Sequence, residues 1–302
     1  MGKFSRASQK SDRYQARVAA KFLQGTYGQR TIPSDMSVET HEKRLISAAS
    51  YMRSAHNMAL REMTVTHAKL YLEQRAELAD TKSTFNTDRG AVYAMLRNQG
   101  KLGKREQISV RYERDEIMNS RSYTHTQIDM IRDRMTPKNA LCVEIAHETG
   151  VRAHELYTID KLENQPTDIR PEHELKFQDK SDWERYSVNG KGGLIREVRL
   201  SPELARRLEL HRLPTSVQVR DRAVFYDKKY DINGGKKFSN AFSAASKRTL
   251  GYSNGAHGIR HTYAKTELGR YQQRGVPFVD AKTIVSQELG HFRPDIVDAY
   301  LR

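Results

Sequence analysis

The segment HGIRHTYAKTELG, residues 257 to 269, sets two histidines and an arginine within five positions at the start of a helical pattern. Three readings suit it. Zinc is one, because His257 and His261 lie four apart and share one helix face. The metalloprotease form, however, needs a glutamate directly after the first histidine, where Gly258 stands, and the single cysteine leaves no thiol pair to complete a structural site. Metal is therefore disfavoured. The second reading is a phosphate clamp, in which His257 donates a hydrogen bond or a proton from the helix start and Arg260 offers a planar fork to two phosphate oxygens. The third is a plain basic helix face, and this segment alone does not decide between the last two.

The elements that must position these residues follow from composition and pattern. The chain has 302 residues, enough for two domains, and a formal charge of +15 from 52 Lys+Arg against 37 Asp+Glu. That excess of positive charge suits a polyanionic partner, with nucleic acid ahead of a membrane surface. No apolar run approaches the roughly 18 to 20 residues of a spanning helix, and no signal segment opens the chain, so a soluble, cytoplasmic protein with no membrane partner is expected. Cys142, in the apolar run ALCVEIA, reads as a core residue. Residues 1–35 are expected to be a flexible basic arm, since the first thirty carry seven Lys/Arg and one Asp. Helical spacing over 41–63, 65–78 and 83–100, the last capped by Ser83 or Thr84 and stopped by Gly100, predicts a helical domain at 36–100. A charged, weakly periodic stretch at 101–121 is the expected linker, and 122–302 the second domain. There, residues 136–150 read as a buried helix with Pro137 in its first turn and Gly150 past its end. Residues 183–200 alternate about a glycine-rich turn, as a β-hairpin does. Helical patterns return at 202–213, 238–250, 261–275 and 281–290. The expected fold class is mainly α with a small β-sheet or hairpin.

Context resolves the opening segment. ETGVRAHEL at 148–156, VNGKGGLIREV at 188–198 and ELGHFRPDIVDAYLR at 288–302, taken with HGIRHTYA, resemble in order and spacing the catalytic boxes of the tyrosine recombinases, the phage integrase family. The likeness covers the second half closely, and the helical bundle resembles that family's core-binding domain in pattern rather than in motif. Carried over, it makes Arg152 the first phosphate-binding arginine, Lys191 the basic residue of the hairpin turn, His257 and Arg260 the H-x-x-R pair, His291 the second histidine and Tyr300 the nucleophile. Glu155 matches a supporting acidic position. The resemblance implies a two-domain clamp on double-stranded DNA recombination sites, a helical core-binding domain with a mixed α/β catalytic domain, and four protomers assembled on two sites. It implies no cofactor and no metal, and a bacterial or phage-encoded protein acting at the nucleoid.

The chemistry asks for this set in its own right. Attack on a phosphodiester adds a second negative charge to its oxygens, so fixed guanidinium groups at Arg152 and Arg260 favour the transition state over the ground state. A tyrosine hydroxyl, with a reference pKa of about 10, needs a base or a positive field before it attacks. His257 is the expected acceptor of the Tyr300 proton, and Lys191 the expected donor to the leaving 5′ oxygen. The resulting 3′-phosphotyrosyl link retains the energy of the broken bond, so strands reseal without ATP or metal.

Each residue has a plainer role open to it: Arg152 as a surface cation near a helix end, Lys191 as a solvated turn residue, His291 as a core or capping histidine, Tyr300 as packing for the last helix. As one ordered set they favour catalysis. His261 reads as a buried structural hydrogen-bonder. A non-cleaving DNA-binding or regulatory protein has no need of Tyr300. A type IB topoisomerase has the same chemistry, but the separate N-terminal bundle favours a recombinase. Only Leu301 and Arg302 follow Tyr300, whereas many relatives continue into a terminal helix that docks in a neighbour. Assembly is then expected through the N-terminal domain, the segment around Tyr300, or an accessory or directionality protein.

Overall fold

A computed structural model describes residues 6–23, 35–114, 120–222 and 224–301. The chain forms two compact units, Met1–Ile117 and Met118–Arg302. The fold is mainly helical, with two small antiparallel sheets among the described residues.

The first unit contains α1 (Arg6–Phe22), α2 (Asp35–His56), α3 (Val65–Leu78) and α4 (Lys82–Asn98). Leu45, Ala48, Ala49 and Met52 of α2 are buried with Tyr71 and Leu72 of α3 and Phe85, Val92, Met95 and Leu96 of α4. The α2 pattern does not run on to residue 63. Asn57 takes φ +51° after its last turn, and a 3-10 turn at Leu60–Glu62 follows. The hydroxyl oxygen of Thr64 accepts from the His67 amide at the start of α3, and that of Thr81, not Ser83 or Thr84, accepts from the Thr84 amide at the start of α4.

Two expectations are corrected here. Residues 6–23 are not a free arm: α1 packs on α2, with Ala16, Ala20 and, just past the helix, Leu23 fully buried. Alanines allow close approach, and the buried carboxylate of Asp12 is held by two hydrogen bonds from Arg53, at 3.0 and 2.8 Å. The expected arm residues 1–5 and 24–34 lie outside the described residues. Nor do residues 102–114 hang as a linker. Leu102 and Ile108 are buried in the bundle core, and Tyr112 stacks on Phe85.

The second unit comprises α5 (His125–Arg132), α6 (Pro137–Thr149), β1 (Asp160–Lys161), β2 (Glu184–Asn189), β3 (Ile195–Leu200), α7 (Pro202–Glu209), β4 (Arg212–Asp221), β5 (Val224–Tyr230), α8 (Gly235–Leu250), α9 (His257–Gln273) and α10 (Phe278–Glu288). The first sheet has the order β1-β2-β3, with Asn189 opposite Ile195 at the hairpin turn and Glu184 opposite Leu200 at its far end. β4 and β5 form a separate ribbon that the sequence reading missed. Most of β4 is exposed, and it carries Pro214 where the register shifts between Arg212 and Val217, so it lacks the alternation that marks a half-buried strand.

α9 packs against both α6 and α10. Beyond the exposed His257, residues 258–264 are buried, and Gly258 lets the chain segment at 121–123 lie directly on the helix: a Cβ there would stand 2.5 Å from Tyr123 Cε2 and 2.6 Å from the Arg121 carbonyl oxygen. Thr262 seals that contact, its hydroxyl donating to the Tyr123 carbonyl at 2.7 Å. Cys142 is fully buried in α6, and burial pushes its thiol up to about 12, as suits a core residue.

Candidate active site

Arg152 is delivered by the loop that leaves α6. Gly150 ends that helix at φ +63°, where a Cβ would stand 2.4 Å from the Tyr263 ring, so the sharp exit against α9 requires glycine. Two residues on, the Arg152 amide donates to Glu155 Oε2 at 2.8 Å and its Nη1 donates to Oε1 at 2.7 Å. Glu155, in the 3-10 turn Glu155–Tyr157, is completely buried. Burial alone raises its pKa, but Arg196, Arg260 and Arg152 outweigh that and hold the carboxyl well below the usual range. It is a buried carboxylate with three guanidinium neighbours.

Arg260, one turn into α9, is almost wholly buried. Its Nε donates to Tyr300 Oη at 3.1 Å, and its two terminal nitrogens donate to the carbonyl oxygens of Gly150 and Leu289. Three of its five N–H groups are thus engaged, and Nη1 also stands 4.0 Å from Glu155 Oε2. Burial lowers its pKa to about 10, which leaves it a cation at neutral pH.

α10 ends at Glu288, and Gly290 turns the chain to His291. A 3-10 stretch, Pro294–Ala299, then carries the chain to Tyr300, which is 5% exposed. His291 Nε2 lies 3.0 Å from Tyr300 Oη and 3.0 Å from Arg152 Nη2. Arginine can only donate, so Nε2 is the accepting, unprotonated nitrogen. Burial first, then Arg260, Arg152 and Arg196, lower the His291 pKa to about 4, consistent with a neutral ring. The Tyr300 hydroxyl therefore accepts from Arg260 and donates to His291.

This differs from the expectation for His257. Its ring centroid is 5.8 Å from that of Tyr300, and among the described residues it makes no hydrogen bond to the tyrosine hydroxyl. Crowding by the protein, then Arg260, His261 and Arg152, lower its pKa, but the residue is exposed and water screens that shift. His261 is buried beneath Tyr300, its Nδ1 3.4 Å from the tyrosine's carbonyl oxygen and its ring edge-on at 4.8 Å. The two histidines of the opening segment thus flank Tyr300, one at the rim and one below. No group of three or more metal-ligating side chains occurs among the described residues.

Lys191 sits in the β2–β3 turn, closed by the Gly190 amide donating to the Leu194 carbonyl at 2.7 Å. Its side chain lies outside what the structure describes. Arg152, Glu155, Arg260, His291 and Tyr300 form one hydrogen-bonded cluster with His257 beside it, and Arg196 belongs to the cluster although the sequence reading passed over it. The signal was present: positions 196, 198 and 200 share a hairpin face, Val198 and Leu200 are core residues, and an arginine on such a face needs a buried carboxylate partner.

No protein-family model matches the sequence, and neither does any curated protein. Solved structures do match over essentially the whole chain. A lambda integrase tetramer bound to a Holliday junction superposes with a TM-score of 0.59 at 13% identity, over 99% of this chain and 81% of that one. The XerH site-specific recombinase in a pre-cleavage complex with its difH substrate gives 0.56 at 14% identity, over 100% and 94%. The Tn1549 transposon integrase with a circular intermediate DNA gives 0.55 at 11% identity, over 95% of each chain. The fold is that of the tyrosine recombinases. At these identities the likeness shows the fold.

Proposed function

We propose that this chain is a site-specific DNA recombinase of the tyrosine recombinase family, acting on double-stranded DNA through a 3′-phosphotyrosyl intermediate. The observation that carries the reading is the Tyr300 hydroxyl, held 3.0 Å from His291 Nε2 and 3.1 Å from Arg260 Nε. In the cleavage step Tyr300 Oη attacks the scissile phosphorus, its proton passes to His291 Nε2, and the bond from phosphorus to the 5′ oxygen breaks. Arg152 and Arg260 bind the phosphate oxygens as charge builds on them. Lys191, on the hairpin turn, donates the proton that the leaving 5′ oxygen needs. Resealing is the reverse, with a 5′ hydroxyl displacing the tyrosine and His291 returning the proton. No metal or nucleotide enters this balance.

The helical unit and the catalytic unit act as a two-domain clamp on the duplex, and protomers assemble as a tetramer when two sites meet. The tetramer in which lambda integrase holds a Holliday junction supports that assembly by analogy. The test is to incubate the protein in EDTA with a pool of nicked duplexes of random sequence, in which the short cleaved strand diffuses away. Denaturant-stable protein–DNA adducts are expected, and their sequences define the site. A pool that yields adducts only when a divalent metal is restored would overturn the reading. Relaxation of any supercoiled plasmid, without exchange between sites, would make the protein a topoisomerase instead.

A further inference from the structure

We propose that Arg196 is a positioning residue that keeps Arg152 and Arg260 as two separate phosphate ligands and ties the Lys191 hairpin to the segment bearing His291. The assignment of roles rests on the recombinase reading above; the geometry does not. Arg196 leaves β3 on its core face and is 2% exposed. Its Nη2 donates to Glu155 Oε2 at 2.8 Å and its Nε donates to the Glu288 carbonyl at 2.9 Å. The stem passes so closely under Gly290 that a Cβ there would stand 2.8 Å from Arg196 Cδ, and Gly290 also holds φ +72°. The glycine before His291 therefore serves this arginine as well as the turn. Glu288 is itself fixed, since its carboxylate accepts from the hydroxyls of Tyr263 and Tyr271 at 2.9 and 2.7 Å. One side chain thus joins the hairpin, the Arg152 loop and the end of α10.

Competition for Glu155 gives this link its consequence. Oε2 accepts from the Arg152 amide and from Arg196, while Arg260 Nη1 stands 4.0 Å from the same oxygen. Without Arg196 that buried oxygen has a vacant acceptor site, and Arg260 is the cation close enough to fill it. Closing from 4.0 Å to a normal hydrogen bond moves the guanidinium by about 1 Å, drawing Nε away from Tyr300. Misplacement on that scale costs about 10²-fold in rate.

The test compares Arg196→Met, which removes charge and donors, with Arg196→Lys, which keeps the charge but cannot serve both acceptors. Two readouts are taken: adduct formation on a trapped site, and the titration of the His291 ring followed by NMR, assigned with a His291→Ala control. The groups acting on His291 are Arg260 from α9, Arg152 and Glu155 from the segment after α6, and Arg196 from β3, with Tyr300 hydrogen-bonded to it. Losing one of these cations while Glu155 stays raises the His291 midpoint, so Arg196→Met should titrate above the parent. Its cleavage rate should fall about 10²-fold with DNA affinity nearly unchanged. Arg196→Lys should keep the low midpoint and still cleave slowly, and it carries the rate test if the Met variant unfolds. The assignment fails if either folded variant cleaves within about threefold of the parent, if activity falls only through lost DNA binding, or if Arg196→Met leaves the His291 midpoint unmoved. Should the parent cleave no DNA, the recombinase reading falls, while the titration still decides whether Arg196 governs the site.

Discussion

Glu155→Gln offers a direct measure of how the cluster is held together. The carboxylate is completely buried and compensates Arg152 at 2.7 Å, Arg196 at 2.8 Å and Arg260 at 4.0 Å. Glutamine keeps the shape and one acceptor but leaves the buried guanidiniums without a counter-charge. Removing one partner from a buried ion pair costs about 3–5 kcal/mol, and the retained amide places this change at the lower end, about 3 kcal/mol. With a urea dependence of about 2–3 kcal/mol per M, the midpoint should drop by about 1 to 1.5 M. Trp183, the chain's one tryptophan, lies in the second unit and reports its unfolding. The pH dependence has a definite sign. The folded pKa of Glu155 is depressed, so its contribution is complete above the unfolded carboxylate range and is lost as pH falls through the folded value. The gap between parent and variant should therefore hold from pH 8 to about 5 and narrow only in stronger acid. A loss under about 1 kcal/mol at pH 7 would refute the claim that this carboxylate offsets the cations, because a solvated surface pair gives a loss of that size.

The other predictions are read by simpler assays. His291 must be neutral to take the tyrosine proton, and its pKa is lowered to about 4, so the rate of adduct formation should stay high well below the ordinary histidine range; an acid limb centred near 6.5 would contradict it. Gly258→Ala forces a methyl within 2.5 Å of the Tyr123 ring and 2.6 Å of a carbonyl, so it should destabilise the catalytic unit by about 1–3 kcal/mol in the same urea titration, and a neutral result would place the segment at 121–123 elsewhere. Lys191→Ala should slow cleavage of ordinary DNA yet cut a substrate whose 5′-bridging oxygen is sulfur at nearly the parental rate, since that leaving group needs no proton. Equal impairment on both substrates would remove Lys191 as the acid.

Much of the scaffold was legible because it rests on local signals. The helix at Val65–Leu78 follows from spacing alone, and Pro137 with Gly150 brackets α6 at both ends. The β2–β3 hairpin follows from its alternation. What the sequence withheld depends on distant partners. α1 carries too few large apolar residues to announce itself, and its order comes from alanines against α2 and from the Asp12–Arg53 pair across 41 residues. The segment at 102–114 looks like a charged connector because only Leu102 and Ile108 are fully buried. The hairpin face marks Arg196 as buried, but not its partners, since Glu155 and Glu288 are 41 and 92 residues away. The choice between His257 and His291 as proton acceptor is likewise a matter of three-dimensional distance, and spacing along the chain carries no information about it.

The central claim is that the Tyr300 hydroxyl is the nucleophile. It is tested by trapping the protein on nicked duplex in EDTA, digesting the adduct with protease and nuclease, and locating the nucleotide-bearing residue by mass spectrometry. A 3′-phosphonucleotide on Tyr300 is expected, and no adduct from Tyr300→Phe, which should still bind the same DNA because it gives up one hydroxyl and no charge. A nucleotide on any other residue, or an adduct undiminished in the Phe variant, would contradict it.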